Sequence, residues 1–301
     1  MTVDDKLVHS RGARPAGAAP IDVISVQSQV VYGHAGNSAA AEPLRQLGLR
    51  VAEVPTTLLS NAPVYPTTRG RVLPADWVAD LLRGVDERGL PARAGMLLSG
   101  YLGTAAIGTV LAEWIDEALP RHPHLRYCLD PVLGDMHIGL YVEAGLVDIV
   151  RERLLPHAWL LTLNAFELGQ LCGRNCATET ACLEAARELQ RGGVASVVVH
   201  GIGLAGGSLG MLALGAGDAY RLSTPKLPID VTGTGDVFAA VLAAFLLRGE
   251  PLPLALERAT TGVHAALEQT LLHQVEELDV RLAAPAAEDD SNRRFVATRV
   301  G

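Results

Sequence analysis

Short β-rich runs alternate with helical patterns along most of this 301-residue chain, and that alternation constrains the fold more than any other feature. The strand candidates are 21–27, 49–54, 95–99, 125–130, 159–162 and 195–200. Apolar spacings near 3.6 residues fill the gaps over 38–47, 74–87, 105–118, 165–171, 179–191, 235–247 and 252–268. Strands that alternate with helices predict an α/β protein with a mostly parallel, doubly wound sheet and helices on both faces. Two further runs, 210–214 and 219–222, are separated by Gly215 and Gly217 and predict a β-hairpin. Ligands of such sheets bind beyond the carboxyl ends of the strands. Candidate functional residues are therefore sought just after each strand.

Residues 1–20 are polar, then rich in Ala, Gly and Pro, and read as a flexible leader. A single domain is expected over 21–282, followed by a loose C-terminal tail over 283–301. Twenty-five Lys and Arg against 33 Asp and Glu leave a net charge of −8. That balance argues against a dedicated nucleic-acid binder and against an anionic-membrane binder, both of which need a basic face. The longest apolar run, 237–247, is too short to span a bilayer. The N-terminus carries Asp4, Asp5 and Lys6 with no apolar stretch of the secretory kind. Cys128, Cys172, Cys176 and Cys182 form no C-x-x-C pair, and at this size a reducing, cytoplasmic setting is expected.

Five segments carry the chemistry. Ser28 to Asn37 follows the first strand and contains Gly33 and Gly36, so backbone can pass close to a ligand there. Ser99-Gly-Tyr-Leu-Gly103 sets Tyr101 between glycines at a strand end, where its ring can lie on a flat ligand. Asp130-Pro-Val-Leu-Gly-Asp135 offers two carboxylates suited to magnesium. Asn164 and Glu167 share one face of a first helical turn. Plain turns, solvated loop acids and an Asn/Glu capping box are the simpler readings of these four segments. The most informative stretch is Val231-Thr-Gly-Thr-Gly-Asp-Val-Phe238. Exposed N–H groups at a helix start bind anions, and a carboxylate beside them can take the proton of an alcohol during phosphoryl transfer.

In this order the segments resemble the ribokinase superfamily and, within it, the pyridoxal kinases. Gly-Thr-Gly-Asp at 233–236 and Asn164-x-x-Glu167 match the superfamily signature. The stretch 26–40, Leu59-Ser-Asn61, Ser99-Gly-Tyr-Leu102 and 130–135 look like pyridoxal kinase motifs. The resemblance implies one ribokinase-like domain with little or no lid, assembled as a homodimer. It implies an ATP-dependent kinase acting on the 5′-hydroxymethyl group of pyridoxal, with pyridoxine and pyridoxamine as further substrates, in vitamin B6 salvage. Asp236 would be the base, and Gly233, Thr234 and Gly235 the anion hole. Asp130, Asp135 and Glu167 would hold Mg2+, directly or through water. Thr162 would lie near the phosphates or a monovalent cation such as K+. Ser28, Tyr101 and Tyr65 would meet the pyridine ring. His200, Thr224, Pro225, Lys226 and Leu227 would lie along ATP.

Some residues depart from the pattern. Ala62-Pro63-Val64 stands where the family has a His-Thr pair, so a hydroxyl and an N–H toward the substrate are missing. His200 stands where bacterial relatives often carry lysine, and a histidine is only partly charged at neutral pH. The glycine-rich stretch 201–207 lacks the Lys-Ser/Thr of a P-loop and reads as a mobile hairpin loop over ATP. His34, His122, His124, His137 and His157 have no metal-binding spacing. Two rival functions remain: a kinase of another acceptor such as hydroxymethylpyrimidine or a sugar, and a non-catalytic B6-binding protein.

Overall fold

The structure is a computed structural model that describes residues 19–300. The expected leader, apart from its last two residues, lies outside the described residues. The chain opens with β1 (Val23–Tyr32), α1 (Asn37–Gln46), β2 (Val51–Asn61), β3 (Gly70–Val72) and α2 (Ala75–Glu87). Next come β4 (Met96–Ser99), α3 (Ala105–Arg121), β5 (Arg126–Leu129), β6 (Gly134–Asp135), β7 (Gly139–Leu140) and α4 (Ala144–Ile149). The middle holds β8 (Leu160–Asn164), α5 (Ala165–Cys172), α6 (Glu179–Arg191), β9 (Ser196–Leu204), β10 (Ser208–Leu214) and β11 (Ala219–Pro225). It closes with α7 (Thr234–Leu247), α8 (Leu252–His273), α9 (Ala283–Glu288) and β12 (Thr298–Val300).

Ten strands form one sheet in the order β12-β11-β10-β9-β8-β5-β4-β1-β2-β3. From β9 to β2 every neighbouring pair is parallel. The β9–β10–β11 meander and β12 add antiparallel strands on one side, and β3 on the other. This is the expected ribokinase-like α/β architecture, with the hairpin at β10–β11.

Successive side chains of a strand face opposite ways, so a doubly covered strand must be apolar at every position. Strand β4 shows this: Met96 and Leu98 enter one core with α1, α7 and α8, while Leu97 enters the other with α2, α3 and α6. Helix α7 is buried at every position from Val237 to Leu246, as a helix apolar all round must be. It packs against α1 and α8. That burial fixes the start of α7, and with it Gly233 to Asp236, at the carboxyl ends of the strands.

The reading of 283–301 as a loose tail is corrected. Helix α9 buries Ala283, Ala284 and Ala287, and β12 pairs with β11. Alanine gives no amphipathic signal, yet it is a strong helix former and small enough for close approach. Gly262 of α8 makes room: a Cβ there would lie 2.4 Å from the Ala283 carbonyl oxygen. Gly262→Ala is expected to lower stability by about 1–3 kcal/mol through overpacking, which outweighs the roughly 1 kcal/mol gained in helix propensity. A rise in the urea midpoint of that variant would contradict this packing.

Short elements escaped the sequence pattern, because two- and three-residue strands such as β3, β6 and β7 carry no periodicity. Longer ones ran past their expected ends. Strand β1 continues to Tyr32 across a bulge between Gln27 and Gln29, so Ser28 lies within the strand rather than after it. The glycine-rich stretch 201–207 is the β9–β10 hairpin, turned by Gly206 (φ 78°) and Gly207 (φ 75°). Among the described residues, no helix is long and apolar enough to cross a membrane.

Candidate active site

The β1–α1 connection is tied down by a buried polar network. Ser25 Oγ donates to Asn37 Oδ1 at 2.7 Å, and Asn37 Nδ2 donates to the carbonyls of Gln27 (3.2 Å) and Val54 (3.3 Å). Ser38 Oγ accepts from the Val30 N–H and donates to the Val30 carbonyl. These bonds hold Gly36 over Ser28. Gly36 has φ 55° and ψ −129°, and a Cβ on it would lie 2.4 Å from Ser28 Oγ.

The Gly36 N–H donates to Asp236 Oδ2 at 2.9 Å. One backbone amide therefore joins the opening loop to the carboxylate singled out as the base. Gly233 (φ 86°) caps α7 and packs on the same loop, its absent Cβ 2.6 Å from the His34 carbonyl oxygen. The first helical bond of α7 runs from the Val237 N–H to the Gly233 carbonyl. The N–H groups of Thr234, Gly235 and Asp236 precede it and have no partner within the helix. Burial raises the Asp236 carboxyl above its ordinary value, and the Gly36 N–H opposes that rise.

Asp130 is buried just beyond β5. Burial pushes its carboxyl well above the usual range, and the charges of Glu167 and Asp236 push it further. Glu167 sits in a full capping box: the Asn164 side chain accepts from the Glu167 N–H (3.0 Å), and Glu167 Oε2 accepts from the Asn164 N–H (2.9 Å). Its Oε1 accepts from the Leu133 N–H at 2.9 Å. The capping reading and the site reading therefore hold together. Burial raises the Glu167 carboxyl to about 7 against three backbone N–H groups that lower it. Between the two acids, Val132 is held at φ 39°, a strained value for a β-branched residue.

Asp135 Oδ1 accepts from the N–H groups of His137 (2.7 Å) and Ile138 (2.8 Å), which turns the β6–β7 hairpin. Among the described residues, no group of three His, Cys, Asp or Glu side chains is placed to hold a metal ion. Asp130, Asp135 and Glu167 thus form no ready three-carboxylate site by themselves, and the expectation is that they hold Mg2+ directly or through water. The donor set still fits Mg2+, since two buried carboxylates repel each other and Mg2+ keeps much of its shell as water and phosphate oxygen.

The raised acids have a consequence for stability. The folded state holds more protons than the unfolded chain near neutrality, so the acids' contribution is lost as pH rises through the folded values. The metal-free protein is expected to lose the Glu167 contribution to thermal stability from about pH 4.5, its ordinary value, to about pH 7, where the folded carboxyl ionises. Asp130→Asn removes one of the two charges and should flatten that loss. An equal or steeper loss in the variant, read by thermal melts, would contradict the account.

His200, Thr224, Pro225, Lys226 and Leu227 come together with Thr234 and Gly235 around one cleft of about 230 Å³. The His200 ring lies 5.4 Å from that of Phe238, and burial lowers its pKa to about 4. That shift favours the neutral ring over the partial charge expected of an ordinary histidine. Thr162 is fully buried in β8, its hydroxyl without a hydrogen-bond partner, and the Thr232 hydroxyl is likewise unpaired.

The expected ring-binding residues are less uniform. Tyr65 Oη donates to Glu277 Oε1 at 2.7 Å, and its ring lies 5.8 Å from that of Tyr32. Glu277 also accepts from the His34 N–H at 3.0 Å, 243 positions away. Tyr65 thus orders the loop through Glu277. The Tyr101 carbonyl accepts from Thr56 Oγ1 at 2.6 Å, and its half-buried ring follows β4. Sequence reasoning missed Glu277, and no local motif marks it.

A family model described as phosphomethylpyrimidine kinase matches residues 56–279. The pyridoxine/pyridoxal/pyridoxamine kinase of Bordetella avium is 41% identical over 268 residues, 88% of this chain and 90% of its own. Pyridoxal kinase PdxY of Rubrobacter xylanophilus is 38% identical over 264 residues, 86% of this chain and 91% of its own. The pyridoxal kinase of Leishmania donovani, solved with ADP and pyridoxine, superposes with a TM-score of 0.85 at 27% identity, over 93% of this chain and 99% of that one. Shared sequence over nearly the whole length and a shared ribokinase-like fold lead to one conclusion: the chain belongs to the pyridoxal kinase family.

Proposed function

We propose that this chain transfers the γ-phosphoryl group of ATP to the 5′-hydroxymethyl group of pyridoxal, and also of pyridoxine and pyridoxamine, giving the 5′-phosphates. The observation that carries this reading is the Asp236 carboxylate, held by the Gly36 N–H beside the amides at the start of α7, which have no partner within the helix. Asp236 takes the hydroxyl proton as the oxygen attacks, and the amides of Thr234 and Gly235 hold the transferring group. Transfer is direct. Asp130 and Glu167, with Asp135 through water, would hold magnesium, which neutralises charge on the phosphates when bound. The unpaired Thr162 hydroxyl supports a role beside the phosphates or a monovalent cation. Ser28 lies against Gly36 and so near Asp236, which supports its role at the acceptor ring.

Homodimer formation belongs to the same proposal. Val31, Tyr32, Leu58 and Val64 are exposed apolar side chains around the ends of β1 and β2. The free cysteines, three of them buried, accord with a cytoplasmic setting.

The test is ADP release from Mg-ATP with pyridoxal, pyridoxine, pyridoxamine and hydroxymethylpyrimidine, each alone. The highest kcat/KM is expected with pyridoxal. A pyrimidine acceptor is the second reading, favoured by Pro63 and Val64 in the loop before Tyr65 and by the description of the family model. Turnover with hydroxymethylpyrimidine alone would keep the mechanism and move the acceptor. No ADP with any acceptor would favour a binding protein.

A further inference from the structure

Two loops of the site meet on one distant carboxylate. Glu277 sits in the turn after α8 and is largely buried, its side chain 13% exposed. Its Oε1 accepts from Tyr65 Oη at 2.7 Å, and its Oε2 accepts from the His34 N–H at 3.0 Å. The His34 ring lies 3.8 Å from Oε2 without a hydrogen bond, so the backbone amide makes that contact. The bond to Glu277 raises the Tyr65 phenol above its ordinary value, which keeps it a donor. Gly33 leaves room for the carboxylate: a Cβ there would lie 2.3 Å from Oε1.

The two oxygens lead to different parts of the site. Tyr65 belongs to the loop 62–69 between β2 and β3, whose base Asn61 Nδ2 closes by donating to the Thr67 carbonyl and to Thr68 Oγ1. The Tyr65 ring also lies against that of Tyr32 at the end of β1. His34 stands two residues before Gly36, whose N–H holds Asp236, and its carbonyl packs on Gly233. One oxygen therefore orders the wall beside the acceptor, and the other orders the loop that sets the base.

The mount of Glu277 is rigid. Leu278 is fully buried in the core shared with α1 and α7. The Asp279 N–H donates to Thr270 Oγ1 at 3.1 Å, and the Val275 N–H to the Thr270 carbonyl at 3.3 Å. A group locked by packing and by hydrogen bonds behind it can fix the geometry of what it grips.

We propose that Glu277 is a positioning residue that clasps the acceptor loop 62–69 to the base loop 33–36, so that enclosing the acceptor and setting Asp236 are one event. This rests on the acceptor lying between Ser28 and the loop 62–69, as the proposed function has it.

The experiment pairs kinetics with hydrogen exchange of the chain without ligands. Glu277→Ala should raise the KM for pyridoxal by about tenfold, the worth of one hydrogen bond, and lower kcat by about tenfold as the base loses register. The KM for ATP should stay within about twofold, since the loss falls on the acceptor side. Glu277→Gln keeps an oxygen for the His34 N–H and offers an N–H to the Tyr65 oxygen, so it should recover most of both losses. Tyr65→Phe opens one contact only and should raise the KM for pyridoxal with a smaller loss of kcat. The double variant should be no worse than Glu277→Ala alone, because Tyr65 acts through Glu277. Exchange should quicken over 33–36 and 62–69 together in Glu277→Ala, and over 62–69 alone in Tyr65→Phe. A folded Glu277→Ala variant with the parent KM and kcat would overturn the proposal. So would additive losses in the double variant, or quickening confined to one loop in Glu277→Ala. Where Glu277→Ala does not fold, a parent KM for pyridoxal in Tyr65→Phe would overturn it. Joint quickening in a chain that phosphorylates no vitamer would overturn the kinase reading and support the clasp.

Discussion

Asp236→Asn is expected to lower turnover by about 10²- to 10⁴-fold, the usual worth of a general base, with ATP affinity nearly unchanged. The amide keeps the size of the carboxylate and still offers an oxygen to the Gly36 N–H, so the contact at 2.9 Å can persist. It has no useful affinity for a proton. The attacking hydroxyl then has nowhere to send its hydrogen, and the loss falls on kcat. The same residue sets the acid side of the rate profile. Asp236 acts only when ionised, and burial raises its pKa, so activity is lost on acidification at a higher pH than for an ordinary aspartate. In Asp236→Asn the residual rate should lose that acid limb. Turnover close to that of the unsubstituted chain, measured by ADP release at saturating pyridoxal, would remove Asp236 from the mechanism.

Much of this site can be read along the sequence because it lies where strands end. The stretches after β1, β4, β5 and β8 each carry a marked residue, and the Gly-Thr-Gly-Asp run opens the most apolar helix of the chain. Local pattern reaches that far because burial forces apolar runs and close approach forces glycine. It fails where a contact joins distant segments. Glu277 holds both His34 and Tyr65 from the turn after α8, and no spacing rule connects these positions. His200 reads as partly charged in sequence, whereas burial beside Phe238 lowers its pKa and favours the neutral ring. The three acids read alike as Mg2+ holders, direct or through water, and sequence does not show that two backbone N–H groups draw Asp135 into a turn. In each case the deciding quantity is the surroundings of a side chain, which its type does not specify.

Gly36→Ala is expected to cost more than its position in a loop suggests. At φ 55° and ψ −129° the backbone lies in a region that only glycine occupies at ease, and forcing another residue there costs about 1–3 kcal/mol. Space is the second obstacle. The new Cβ would lie 2.3 Å from the Ser28 carbonyl oxygen, and backbone in a buried strand cannot yield as a flexible side chain would. The loop must therefore move, and with it the N–H that holds Asp236. Ser28, the base and the amides of α7 would lose their common register, and a misplacement of about 1 Å at reacting groups costs on the order of 10²-fold in rate. The variant should thus lose both stability and turnover. ATP affinity should fall less, because most of the cleft wall comes from β10, β11 and α8 and Gly36 is not among its lining residues. Thermal melts and ADP release on the same preparation separate the two effects. A variant that melts lower yet turns over at the parent rate would show that the Gly36 contact supports the fold and leaves the chemistry alone.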